Sequence, residues 1–109
     1  MPDARQIRSA LTAKTLTPAQ ALDQLLPLAH GAPLLLARVE AHQLLGELAG
    51  RAFETPWELA ERAAFALLEL VRRVEGRSER RALLLAVGRG HRNLWLMPYV
   101  HARLDDHDP

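Results

Sequence analysis

The chain has 109 residues, 49% of them apolar, no cysteine, and 14 basic against 13 acidic side chains for a net charge of +1. A chain of this length builds one core and not two, and the missing cysteine excludes disulfides, thiolate metal sites and thiol nucleophiles. The near-neutral balance argues against a strongly electrostatic partner for the chain as a whole.

The apolar residues are mostly Leu and Ala, which lose little entropy in a helix, while the β-branched and aromatic types that suit a sheet are scarce. No window alternates with period two, so no strand is predicted. The opening "MPDARQIRSAL" has no apolar core and is not read as a secretory signal. It predicts a short helix, about Asp3 to Ala13, capping the rest from within residues 1–16. At Thr17–Gln20 the sequence "TPAQ" offers an N-cap Thr, Pro at the first helical position and Gln three residues on. Leu22, Leu25, Leu26 and Ala29 follow at helical spacing. "HGAP" breaks this helix, and Pro33 is expected to open the next, with Leu34, Ala37, Ala41, Leu44, Leu45 and Leu48 as its apolar stripe. Residues 17–54 thus form a first pair.

The second pair, 55–92, starts on "TPWE" at Thr55–Glu58, again a capping-box pattern. Trp57, Ala60, Ala64, Leu67, Leu68 and Val71 are expected to face inward, and Glu58–Arg62 and Glu69–Arg73 are favourably oriented i,i+4 pairs. "EGRSE" turns the chain, Ser78 is placed to cap a shorter helix through Val87, and "GRGH" turns it again. Asn93 begins an incomplete third pair, 93–109. The starts Thr17, Thr55 and Asn93 recur every 38 residues, which is the spacing of a helical repeat. The longest apolar runs, "APLLLA" and "RALLLAVG", are far short of a membrane span. A cytoplasmic protein is expected, and thirteen arginines beside the single Lys14 suggest a GC-rich, bacterial coding sequence.

This pattern resembles the HEAT-repeat family of α-solenoids. The second helix of the first pair, "ARVEAHQLLGELA", places Ala37–Arg38, Ala41 and Leu45–Gly46–Glu47–Leu48 where that family's pattern puts them. "PYVHARLDDHDP" matches a first helix with its internal proline, Pro98, running into an Asp-rich turn. The resemblance covers most of Thr17–Pro109. It implies five to six helices in antiparallel pairs; the alternative is an irregular five-helix bundle. It also implies a chain that leaves an apolar end face, so that association with another protein or another copy becomes the expected role.

Three candidate sites follow. The apolar segment Leu94, Trp95, Met97, Tyr99 and Val100 is a candidate partner surface. Arg72, Arg73, Arg77, Arg80, Arg81, Arg89 and Arg92 form a basic ridge that could hold nucleic acid or another polyanion, or stand as a solvated face paired with Glu69, Glu75 and Glu79. His101, Asp105 and His107, with Asp108, could bind a divalent metal, or serve as capping and turn residues. No nucleophile triad, phosphate loop or paired-carboxylate arrangement is identifiable. The expectation is a non-enzymatic interaction module without a cofactor.

Overall fold

The structure, a computed structural model, describes residues 3–90 together with Asn93 and Leu96. Among them are five α-helices and no strand: α1 (Ala4–Thr12), α2 (Pro18–Gly31), α3 (Leu35–Ala49), α4 (Trp57–Arg73) and α5 (Arg77–Arg89). A 3-10 turn, Ala52–Glu54, lies between α3 and α4. The all-helical expectation holds among the described residues.

Two helix starts follow the sequence directly. The Asp3 carboxylate accepts the Gln6 backbone N–H, and the Gln6 side chain accepts the N–H of Asp3. Thr17 and Gln20 make the same reciprocal pair at α2, with Pro18 following the cap. The expected box at Thr55–Glu58 does not form. Helix α4 begins after Pro56 with no side-chain cap, and Thr55 is buried with its hydroxyl donating to the Ala52 carbonyl. The cause is the turn before it: Arg51, Phe53 and Glu54 adopt left-handed backbone with φ of 67°, 59° and 58°, and Thr55 is used to close that turn. Ser78 lies inside α5, whose N-cap is Gly76. Helix α3 starts at Leu35, two residues after Pro33.

Helix α3 is the centre of the molecule, in contact with α1, α2, α4 and α5. Its buried residues, Ala41, Leu44, Leu45, Leu48 and Ala49 among them, point to several sides and not one, as a helix covered all round must. Ile7 and Leu11 from α1, Leu22 and Leu25 from α2, Leu67 and Val71 from α4, and Leu83 and Val87 from α5 complete one continuous core. Each large side chain buried in this way stabilises the fold by about 1.5–3 kcal/mol.

Two residues expected inside are not. Trp57 is exposed, with the Arg51 guanidinium 5.6 Å from its ring centre, a cation–π distance. Leu34 is 71% exposed. Each belongs to the very start of its helix, where apolar spacing along the sequence continues but no neighbouring helix reaches. The segment after α5 returns to the core at two points. The buried Asn93 amide donates to the carbonyls of Ala49 and Ala60, at 2.9 and 3.3 Å, and Leu96 is buried.

Candidate interaction surface

Helices α3 and α5 lie side by side and parallel. Their contact is organised at two levels, one polar and one steric. At the first turns, Glu79 of α5 accepts from Arg38 Nε at 3.0 Å and from His42 Nε2 at 2.8 Å, both on α3. Two turns further on, Gly46 faces Ala86 so closely that a methyl group on Gly46 would run into the Ala86 carbonyl oxygen.

The polar level is self-contained. His42 is fully buried, and its Nδ1 has no partner among the described residues. Burial pushes its imidazole below the ordinary value of 6.5, assisted by the nearby charges of Arg38 and His30, against the hydrogen bond and charge of Glu79. Burial alone would raise the Glu79 carboxyl, but hydrogen bonds from His42 and Arg38 and their charges outweigh it and hold the group below its usual value. An ionised carboxylate only accepts, so a neutral His42 donates through Nε2 and leaves Nδ1 bare. This is a structural clamp: Arg38 and His42 of α3 hold the Glu79 carboxylate of α5 and so tie the two helices together.

The predicted arginine ridge is partly dispersed. Arg80 turns back on its own pair, donating through Nη1 to the carbonyls of Val71 and Val74 at 2.7 and 3.5 Å. Arg73 pairs with Glu69 on the same helix at 3.3 Å, as the sequence predicted. Arg89 approaches Glu47 of α3 at 3.8 Å. Arg72, Arg77 and Arg81 are exposed. Glu79, expected to offset these arginines on the surface, instead faces α3.

Placing the two pairs in register exposes an asymmetry. Arg38 donates through Nη1 to the Ala32 and Pro33 carbonyls at 2.7 and 3.3 Å, the same task Arg80 performs at the second turn. Each is the fourth residue of its helix, and Arg80 stands 42 positions after Arg38. In this register Leu84 corresponds to His42, Leu85 to Gln43 and Gly88 to Gly46. On α3, the face made by Arg38, His42 and Gly46 receives α5. On α5, no described helix lies on the corresponding face: Arg80 and Gly88 are exposed, Leu84 is half-buried, a methyl group on Gly88 would meet nothing within 4 Å among the described residues, and the adjacent Leu85 is 65% exposed.

Other features are weaker as sites. Leu34, Leu35 and Leu36 stand exposed at the start of α3. A cavity of about 510 Å³ opens between the α1–α2 connection and the 51–56 turn, lined by Leu11, Leu16, Phe53, Lys14 and Glu54 among others, but its polar lining residues are all exposed. Among the described residues, no three His, Asp or Glu side chains gather as a metal would need. No described helix is long and apolar enough to cross a membrane. The predicted partner residues Leu94, Trp95, Met97, Tyr99 and Val100, the metal candidates His101, Asp105, His107 and Asp108, and Arg92 lie outside the described residues.

Comparison of the chain with protein-family models, curated proteins and solved structures finds no match.

Proposed function

We propose that this chain is a non-enzymatic interaction module, a short HEAT-like stack of helix pairs that docks a helix of another protein on the outer face of α5. The observation that carries this is the pair of corresponding faces. The face of α3 at Arg38–His42–Gly46 is covered by a helix, while among the described residues no helix lies on its counterpart on α5, Arg80–Leu84–Gly88, where Leu84 is half-buried and Leu85 is exposed. In a stack of helix pairs each such face is completed by its neighbour, and an end face is where a partner adds. The buried clamp of Glu79, Arg38 and His42 supports a structural use of the titratable groups and not a catalytic one.

The test is a pair of substitutions on open positions. Leu85→Arg should leave the melting temperature nearly unchanged and Gly88→Leu should not lower it, because among the described residues neither site touches the core. Both should lose a protein that copurifies with the wild-type chain from its source cells. If both variants keep every partner of the wild type, the α5 face is not the docking surface. A second reading, binding of a polyanion, has the support of Arg72, Arg77 and Arg81, which remain exposed. It requires binding of an oligonucleotide that weakens steeply with added salt. An interaction insensitive to salt sets it aside.

A further inference from the structure

The turn between α2 and α3 ends in three leucines, and all three are out of the core. Leu34 is 71% exposed, Leu35 43% and Leu36 63%. They stand at the cap and the first two positions of α3, so they follow one another about 100° apart around the helix axis. Together they spread over more than half of its circumference. For a protein partner this is a poor patch, because a helix or a groove covers one side of such a tip and leaves the rest wet. A medium that is apolar on every side covers all of it, as happens to a tip dipped into a bilayer.

The charges beside the tip are mostly of one sign. Arg38 reaches from the Ala32 and Pro33 carbonyls to Glu79, which puts the leucine turn next to the first turn of α5. Arg80, one residue after Glu79, holds the end of α4 at Val71 and Val74. The start of α3, the end of α4 and the start of α5 therefore share one end of the molecule. Residues 24–39 contain no Asp or Glu, and residues 72–81 contain five arginines. Of the two acids in that second stretch, Glu79 is taken up by Arg38 and His42, and Glu75 is exposed. Arg72, Arg77 and Arg81 are exposed and form no ion pair with the described residues.

We propose that this end of the molecule docks on an anionic membrane surface, with Leu34, Leu35 and Leu36 entering the headgroup region while Arg72, Arg77 and Arg81 meet its acidic groups. The leucines supply attachment that salt does not screen, and the arginines supply the choice of an acidic surface. Insertion stays shallow. Helix α3 has no side-chain cap, and its first N–H groups meet phosphate oxygens or water at headgroup depth, where hydrocarbon would leave them unsatisfied. The surface lies at the opposite end of α5 from Gly88 and is independent of the docking role proposed for that helix.

The full chain is to be sedimented with phosphatidylcholine vesicles, with and without phosphatidylserine, at physiological salt. Binding is expected to the vesicles that contain phosphatidylserine and little to the others. Leu34→Ser combined with Leu36→Ser should weaken it about tenfold or more, the scale of one buried leucine. The melting temperature should not fall, since both side chains are exposed and Ser is a good cap at position 34. Arg77→Glu with Arg81→Glu should remove the preference for phosphatidylserine. Because the chain has no cysteine, an environment-sensitive dye on Leu34→Cys reports that position alone. Its emission should shift to the blue on these vesicles, and the same dye on Arg62→Cys, an exposed position of α4, should not shift. No binding of the wild-type chain to either vesicle, or binding unchanged by the leucine substitutions, overturns the proposal. A fall in melting temperature or in solution mass on substituting the leucines shows that the chain itself or a second copy covers them, and overturns it too.

Discussion

Gly46 and Gly88 occupy corresponding positions on α3 and α5, yet alanine should act on them with opposite sign. At Gly46 the added methyl group meets the backbone carbonyl of Ala86, which cannot swing aside as a side chain can. The helices must separate, which also strains the Glu79 clamp further along the same contact. Overpacking of this kind costs about 1–3 kcal/mol, and an obstacle made of backbone places it at the upper end. The better helix propensity of alanine offsets about 1 kcal/mol. The net loss is then about 2 kcal/mol, or roughly 10 °C in melting temperature for a domain of this size. Among the described residues nothing lies within 4 Å of a methyl group on Gly88, so Gly88→Ala keeps only the propensity gain, about 0.5–1 kcal/mol. Urea denaturation followed by circular dichroism measures both. If Gly46→Ala stabilises the chain as Gly88→Ala does, α3 and α5 do not meet at Gly46 and the correspondence between the two faces is wrong.

The buried clamp makes stability depend on pH. The His42 imidazole is held below 6.5 by burial, so the unfolded chain takes up its proton first, and stability should fall as pH drops below about 6.5. Glu79 is held below its usual value, so its contribution is present above that range and lost as pH falls through its lowered folded value. His42→Leu, which copies the residue at the corresponding position 84, should remove the upper step and keep the lower one; melting curves at a series of pH values separate the two. Glu79→Gln removes the charge from an acceptor shared by Arg38 and His42 and should cost about 1–3 kcal/mol at neutral pH, read from the urea midpoint. Thr17→Ala should cost about 1 kcal/mol through the lost α2 cap. Thr17→Asp, which keeps an accepting oxygen, should restore most of it in the same assay.

The helices were legible because their apolar residues recur at helical spacing and because Thr17 stands before Pro18 and Gln20 at capping-box distance; the matching box at Asp3 and Gln6 went unread. Thr55 carried the same local signature and failed for a reason outside it. The chain before it takes left-handed backbone at Phe53 and Glu54, residue types that rarely do so, and no short motif announces such a turn. The two Thr-Pro signatures are 38 residues apart, close to the spacing of the helix starts Pro18 and Trp57, but Arg38 and Arg80 are 42 apart. Helix α4 has 17 residues against 14 in α2, which moves the correspondence to Arg38 with Arg80. Only in that register does Gly88 align with Gly46. The clamp was hidden for a similar reason: Glu79 sits among arginines that make it look like one more surface charge, and His42 lies 37 residues away. Only the parallel contact of α3 and α5 brings them to 2.8 Å.

The most direct measurement places a photo-reactive amino acid at Leu85, on the outer face of α5, and at Arg62, an exposed position on α4. Irradiation in the source cells should give a discrete adduct of the chain with one partner from position 85, absent from position 62 and lost when Gly88→Leu is added. No adduct from position 85, or the same adducts from both positions, would contradict a docking role for α5.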